Sequence, residues 1–300
     1  MLPVLFSIGP ITISSFGLFL AVAFLFSTYL IWRLARAWDM DEEKMLDVLI
    51  LTFFGGLVIS RVFFIIEHLN FFQADFLKMI QITKYPGFSF WGGFGGGAGA
   101  LFFLCRMIKI DFGKVLDISS VGFLGGLFWG NIGCFLGGCG AGIQSDLFFA
   151  TPMVGLIGKR LPVQLFEAVI FLIILIKIWP KAVQFHPPGK IASLVLIFIG
   201  GTKFIMDFFR QSSGHFLSLV LVLLAIFLFY KIARKTPIED VKNLAALLKE
   251  IFTSREKRQR FLKGLQKKWY NQTVAIFWNI RSLTKILRRF NVRTTPKNFK

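Results

Sequence analysis

Apolar residues dominate the first 230 positions of the chain in long runs, which short polar or glycine-rich segments separate. A helix that crosses a bilayer needs roughly 20 mostly apolar residues, because the hydrocarbon layer is about 30 Å thick and each residue adds about 1.5 Å. Seven runs approach that length: 14–31, 46–66, 88–104, 115–136, 162–179, 191–209 and 216–232. The pattern predicts an all-α, polytopic membrane protein of about seven transmembrane helices.

Composition agrees with this interpretation and excludes an ordinary soluble domain. Hydrophobic residues make up 55% of the 300 positions and charged residues only 17%. No small-residue cleavage site follows the first apolar run, so we expect that run to be a retained helix rather than a removed signal peptide. The expected location is the cytoplasmic membrane of a bacterium, with several passes.

The positive charges of the short loops predict how the helices are oriented, because Lys and Arg are retained on the cytoplasmic side. The loops after the first, third and fifth runs are the more basic: they carry Arg33, Arg36, Lys44, Arg106, Lys109, Lys114, Lys177, Lys181 and Lys190. The N-terminus is therefore predicted outside and the C-terminus inside.

A basic tail is predicted to follow the transmembrane domain, so that the chain divides into residues 1–235 and 236–300. Residues 231–300 hold 19 Lys and Arg against 4 Asp and Glu, which accounts for +15 of the net charge of +19. Apolar residues recur there at helical spacing, as in amphipathic helices that bind an anionic membrane surface. A solvated tail remains the alternative. Nucleic-acid binding has no motif behind it.

Ionisable side chains within the apolar runs are costly to bury and are therefore functional candidates. They are Asp47, Arg61, Glu67, His68, Asp117, Glu167, Lys203 and Asp207. Asp47 and Asp117 lie near predicted helix starts, where a helix N-terminus or a loop lysine would satisfy them. Lys203 and Asp207 are four residues apart and can pair on one helix face. Arg61 needs a carboxylate or a phosphate.

The segment at 130–140, GNIGCFLGGCG, is rich in glycine and predicts either close helix packing or a turn whose N–H groups bind an anion. Cys134 and Cys139 are interpreted as small packing residues, since three cysteines in apolar sequence do not make a disulfide framework. No further ligands lie near them, so no metal site is expected, and no cofactor motif is present.

Several motifs, in order along the chain, resemble the prolipoprotein diacylglyceryl transferase family over about residues 3–230. The stretches IGP at 8–10 and SFGL at 15–18 are similar to the family's I-G-P and W-Y-G-L patterns, and GGLVISRVFF at 55–64 is similar to G-G-x-x-G-x-R-x-G-Y. GFSFWGG at 87–93 resembles G-x-S-F-H-G-G, and 130–140 resembles G-R-x-G-N/C-F-x-x-G-E/C. LPVQLFE at 161–167 and KFIMDFFR at 203–210 resemble H-P-S-Q-L-Y-E and R-F-x-x-E-F-x-R.

The resemblance implies transfer of the diacylglyceryl group of phosphatidylglycerol to the lipobox cysteine of a prolipoprotein signal peptide. It implies that Arg61 and Lys203 hold the lipid phosphate, that Asp207 orients Lys203, and that Glu167 or His68 accepts the thiol proton. The further substrate-binding residues it implies are Ser89, Trp91, Asn131, Gly133, Cys134, Gly138, Gln164 and Arg210.

The chain departs from the family pattern at four positions that matter for chemistry. The family's Tyr, His and first Arg are here Phe16, Trp91 and Asn131, and its second Arg is Lys203. Two alternatives therefore stand beside the transferase: an inactive relative that binds lipid or acts as a scaffold, and a transporter or channel, although no internal repeat favours the latter.

Overall fold

The structure is a computed structural model that describes residues 4–8, 11–72, 79, 85, 87–153, 155–210 and 214–233, together with positions 259, 263 and 266. The predicted basic tail and its two amphipathic stretches therefore lie almost entirely outside the described residues. One compact unit, Met1–Arg234, holds all the elements named below.

Helices dominate this unit, as the apolar runs predict. They are α1 Ser15–Ala37, α2 Glu42–Glu67, α3 Leu69–Phe72, α4 Phe90–Ile108, α5 Phe112–Gly137, α6 Val163–Val183, α7 Lys190–Asp207 and α8 His215–Ala233. Seven of these described helices have at least 18 residues, and each of the seven overlaps one of the predicted runs.

Short polar side chains set where four of these helices begin. Ser14 accepts a hydrogen bond from the N–H of Gly17 at the start of α1, and Ser89 accepts one from Gly92 at the start of α4. Asp41 and Asp111 do the same for α2 and α5. Such caps satisfy backbone N–H groups that have no partner within the helix.

Two small antiparallel hairpins modify the all-α prediction. Strands β1 Val4–Ile8 and β2 Ile11–Ser14 pair directly before α1. Strands β3 Thr151–Pro152 and β4 Lys159–Arg160 pair in the long connection between α5 and α6. Both hairpins are short, so the unit remains mainly helical.

Glycines let α4 and α5 pack closely against their neighbours, and neither helix unwinds. A Cβ atom on Gly96 of α4 would lie 2.5 Å from the Cβ of Ile59 in α2, and one on Gly133 of α5 would lie 2.5 Å from the Cβ of Phe19 in α1. Neither distance is possible for a real side chain. Of the two roles predicted for the glycine-rich segment at 130–140, close helix packing is confirmed for Gly133.

Five of the described helices are long and apolar enough to cross a membrane, namely α1, α2, α5, α6 and α8. The chain is therefore a multi-pass membrane protein. Helices α4 and α7 have sufficient length but do not meet the same apolar criterion. Six glycines occupy the first ten residues of α4, and α7 carries Lys203 and Asp207.

Buried Asp117 of α5 fixes the start of α7. Its two carboxylate oxygens accept hydrogen bonds from the backbone N–H of Gly189, at 2.7 Å, and of Ala192, at 2.6 Å. The predicted satisfaction of Asp117 by a helix N-terminus is confirmed, although the helix is a neighbouring one. The same helix carries the ionisable residues of the site at its other end.

We predict that Gly96→Ala lowers the free energy of unfolding by about 1–3 kcal/mol, because the added methyl group meets Ile59 and forces α2 and α4 apart. Gly95→Ala is the matched control, since a Cβ there has no atom of the described residues within 4 Å. Unfolding in mixed micelles with increasing anionic detergent measures both variants. Equal stability of the two variants would contradict the packing argument.

Candidate active site

Two cations share one buried carboxylate where α6 begins and α7 ends. Lys203 Nζ lies 2.7 Å from Glu167 Oε2, and Arg210 Nη2 lies 3.0 Å from the same oxygen. Glu167 is fully buried and Lys203 is 7% exposed. A buried charge needs such partners, because its desolvation costs several kcal/mol. We call Glu167, Lys203, Asp207 and Arg210 the ionic cluster.

Asp207 has a different partner from the one that its spacing predicts. Ser218 of α8 donates a hydrogen bond from Oγ to Asp207 Oδ2 at 2.8 Å. Among the described residues, the ion pair of Lys203 joins it to Glu167 and none joins it to Asp207. The predicted i, i+4 pair is therefore wrong: the shared helix face brings the two residues near each other, but the carboxylate of α6 approaches the ammonium group more closely.

The first turn of α4 completes the surroundings of the ionic cluster. The ring centroid of Phe90 lies 4.6 Å from Lys203 Nζ, within the range of a cation–π contact. Trp91 Nε1 and Asp207 Oδ2 both approach Gly214, since a Cβ there would lie 3.4 Å and 3.1 Å from them. Trp91, which takes the place of the family's histidine, thus presents an N–H donor beside the cluster.

Gln164 connects the cluster to the chain that leaves α5. Its Nε2 donates to the carbonyl oxygens of Cys139 and Gly140, the latter at 3.0 Å. The following residues continue to the end of α7, where Ile143 N donates to Phe209 O at 2.9 Å and Gly142 forms a bridge with Arg210. This turn therefore reaches both Gln164 and Arg210.

Arg61 of α2 belongs to a second group of polar residues. Its guanidinium donates to the carbonyl oxygens of Met79, at 3.2 Å, and of Gly87, at 2.9 Å, and it lies over the rings of Phe64 and Phe72. Among the described residues, these two backbone carbonyls accept its hydrogen bonds. These bonds hold the segment that leads into α4.

Ser89 and Glu67 belong to the same group as Arg61. Ser89 Oγ donates to Glu67 Oε1 at 2.9 Å, and Ser60 Oγ donates to the carbonyl oxygen of Ser89 at 2.7 Å. His68 stacks on Phe64, with its Nδ1 3.0 Å from the Phe64 carbonyl oxygen. No described contact joins His68 to Glu167, so the two candidate proton acceptors are not brought together.

The glycine-rich segment at 130–140 does not form the predicted anion-binding turn. Its first eight residues belong to α5, which ends at Gly138 in a left-handed conformation. A helix C-terminus exposes carbonyl groups and the negative end of the dipole, so it disfavours an anion. Asn131 Nδ2 donates to Leu127 O of its own helix, and Gly133 packs against Phe19.

Cys134 and Cys139 correct another expectation, since the structure joins them in a disulfide. The five-residue spacing does not predict this pairing, because it depends on where the helix ends. The turn at Gly138 brings the two residues together. Ser218 and Phe90 were also missed as members of the site. Ser218 follows the last of the family-like motifs, at 203–210, and nothing in the sequence identifies its partner.

Several buried polar atoms of the site have no hydrogen-bond partner among the described residues. They are Glu167 Oε1, Gln164 Oε1 and Arg210 Nε. Buried polar atoms are nearly always satisfied by protein, water or ligand, so these three atoms are available to water or to a polar ligand. A carboxylate oxygen accepts a proton or hydrogen bond, and a guanidinium nitrogen donates to an anion.

Comparison with known proteins gives one consistent result. The family model described as prolipoprotein diacylglyceryl transferase matches residues 3–231. The chain belongs to the prolipoprotein diacylglyceryl transferase family. The match covers the transmembrane region and ends before the basic tail, as the order of motifs predicts.

Relatives named phosphatidylglycerol–prolipoprotein diacylglyceryl transferase match this chain, and three of them illustrate the similarity. The protein of Aeromonas hydrophila subsp. hydrophila is 32% identical over 225 residues, which cover 71% of this chain and 79% of the relative. That of Vibrio cholerae serotype O1 is 31% identical over 242 residues, with 75% and 89% covered. That of Pseudoalteromonas atlantica is 30% identical over 222 residues, with 71% and 77% covered.

The residues of the ionic cluster belong to sequence motifs that resemble those of the family. The cluster's four members lie in the two motifs at 161–167 and 203–210, which resemble diacylglyceryl transferase patterns. Departures from the family pattern also fall inside them: Leu161, Val163 and Phe166 stand where the pattern has His, Ser and Tyr, and Lys203 stands where it has Arg.

Ser218→Ala tests the partner of Asp207. We expect it to lower the free energy of unfolding by about 1.5–3 kcal/mol, because a buried carboxylate loses a donor. Ser193→Ala is the matched control: this serine is also buried, but among the described residues its hydroxyl donates only to Lys190 O in its own helix. Chemical unfolding in micelles measures both variants. A loss for Ser193→Ala as large as for Ser218→Ala would contradict the assignment.

Proposed function

We propose that this chain transfers the diacylglyceryl group of phosphatidylglycerol to the thiol of the lipobox cysteine in a prolipoprotein signal peptide. The sulfur forms a thioether bond to the glyceryl carbon, the bond from that carbon to the phosphate oxygen breaks, and glycerol phosphate leaves. The observation that carries the proposal is the shared position of Lys203 and Arg210 on Glu167, within a chain of this family.

Lys203 and Arg210 are the groups that stabilise the leaving phosphate. Both cations are held in place before substrate binds, and charge that develops on a phosphate oxygen beside them is stabilised without reorganisation of the site. The free Nε of Arg210 is a donor that the described residues leave unused. Lysine at the position of the family's arginine keeps the charge but lacks the planar fork, so Arg210 supplies the bidentate geometry.

Glu167 accepts the thiol proton in this mechanism. Its Oε2 is held by the two cations, while its Oε1 has no partner among the described residues and is available to a donor. A free thiol has a pKa of about 8.5, so a positioned carboxylate assists formation of the attacking thiolate. His68 lacks a contact with this group, which makes Glu167 the better candidate.

Arg61 and Asp207 act as positioning residues. Arg61 is the sequence-based candidate for the lipid phosphate, but its bonds to Met79 and Gly87 favour a role in holding the segment before α4. Asp207 anchors α8 through Ser218 and keeps its negative charge near Lys203. We also propose Ser89, Trp91 and Gln164 as substrate-binding residues.

The orientation of the chain follows from its loop charges. We assign seven spans, with α4 and α7 crossing together with the five most apolar helices, the N-terminus outside and the C-terminus inside. In this arrangement the ionic cluster lies near the outer face of a bacterial cytoplasmic membrane. The basic tail at 236–300 lies on the cytoplasmic side, where anionic lipid attracts Lys and Arg.

Expression of the chain in bacteria depleted of their own transferase tests the function. We expect it to restore lipidation of a reporter prolipoprotein, seen as a mobility shift and as incorporation of labelled acyl chains. Membrane-inserted, folded protein that restores no lipidation would contradict the proposal and support the inactive relative.

Lys203→Ala tests the role of the cluster. We expect a loss of about 10²-fold or more in kcat, because one of two cations at the leaving group is removed. Lys177→Ala, at an exposed lysine of α6, is the matched control and is expected to retain activity. Transfer from phosphatidylglycerol to a lipobox peptide in micelles measures both. A fully active Lys203→Ala variant would exclude Lys203 from the leaving-group site.

A further inference from the structure

A disulfide closes the end of α5 beside the ionic cluster. Cys134 lies in the last turn of the helix and Cys139 follows the helix end, with their Cα atoms 5.0 Å apart. The remaining cysteine, Cys105, is buried near the end of α4 and is free. The bonded pair is therefore distinguishable from the third thiol.

The turn that this disulfide closes carries the groups that hold two site residues. The carbonyl oxygens of Cys139 and Gly140 accept both hydrogen bonds of Gln164 Nε2. A Cβ on Gly140 would lie 3.8 Å from the guanidinium carbon of Arg210, so the turn also contacts that side chain. The contact is extended by the bridge between Gly142 and Arg210.

The glycines of this turn give its backbone many possible conformations, so a covalent bond across it strongly affects which of them it adopts. Gly137, Gly138, Gly140 and Gly142 surround Cys139, and Gly138 and Gly140 have φ values of 80° and 64°. Glycine has the largest conformational freedom of any residue, so such a turn has many competing conformations when it is open. A covalent bond across a turn reduces the number of conformations open to it.

We propose that the Cys134–Cys139 disulfide is a positioning element of the active site, which holds Gln164 and Arg210 in the geometry that transfer requires. This inference rests on the proposed function. Two thiols lose two protons and two electrons to an exchanging disulfide of a thiol oxidoreductase, as is available on the oxidising side of a bacterial membrane. Reduction restores two thiols, and the turn opens.

Thiol counting on the purified full chain tests whether the bond exists. Maleimide labelling under denaturing conditions, read by mass, is expected to modify one thiol before treatment with a phosphine reductant and three after it. In this reduction the phosphine supplies two electrons and takes the oxygen atom of water to become the phosphine oxide, and the two protons of water complete the thiols. The Cys105→Ala variant is expected to show none before and two after. Three labelled thiols in untreated protein would overturn the proposal.

Kinetics in micelles test the positioning role. We expect reduction to lower kcat about 10-fold or more, with KM for phosphatidylglycerol changed less than about twofold, because Arg210 acts on the leaving group in the transition state. Reoxidation by oxidised glutathione should restore kcat. Cys105→Ala should behave like the parent, whereas Cys134→Ala/Cys139→Ala should resemble the reduced enzyme and ignore the reductant. Reduction without an effect on kcat would overturn the positioning role.

Hydrogen exchange separates this inference from the proposed function. In oxidised and reduced protein, we expect faster exchange after reduction at residues 138–144 and 208–210, and unchanged exchange in the middle of α1. Oxidised protein without transferase activity would refute the function, and the exchange data would still decide whether the disulfide holds the turn against Arg210. Identical exchange in both states would overturn the inference whatever the activity.

Discussion

The site depends on one carboxylate oxygen, Glu167 Oε2, which is shared by Lys203 and Arg210. Each cation would be unfavourable alone in so apolar a chain, and the carboxylate would be unfavourable without them. Together they fix the start of α6 to the end of α7. The same arrangement presents two cations and one unused carboxylate oxygen, Oε1, to a substrate.

Other parts of the fold support this interaction from a distance. Asp117 anchors one end of α7 and the ionic cluster anchors the other, so the helix is fixed at both ends. The glycine contacts between α2 and α4 allow the first turn of α4 to approach Lys203 through Phe90. The turn after α5 completes the enclosure through Gln164 and Arg210.

The sequence predicts the helices well and the partners of their side chains poorly. Long apolar runs identify the seven long helices, because length and hydrophobicity are properties of each segment alone. The partner of Lys203 is 36 positions away, on another helix, so its spacing from Asp207 is a weaker guide than packing. Arg61 bonds to backbone carbonyls, which leave no trace in a pattern of side chains. The glycines at 130–137 are compatible with either a closely packed helix or an anion-binding turn, and the position of the helix end at Gly138 decides between the two.

A double-mutant cycle on Glu167 and Lys203 tests the central interaction most directly. The free energies of unfolding of Glu167→Gln, Lys203→Met and the double variant are measured in mixed micelles against the parent. Each single variant is predicted to lose about 3 kcal/mol or more, because it leaves a buried charge with too few partners. The double variant is predicted to lose less than the sum by about 1–3 kcal/mol. Losses that add within error would contradict the account.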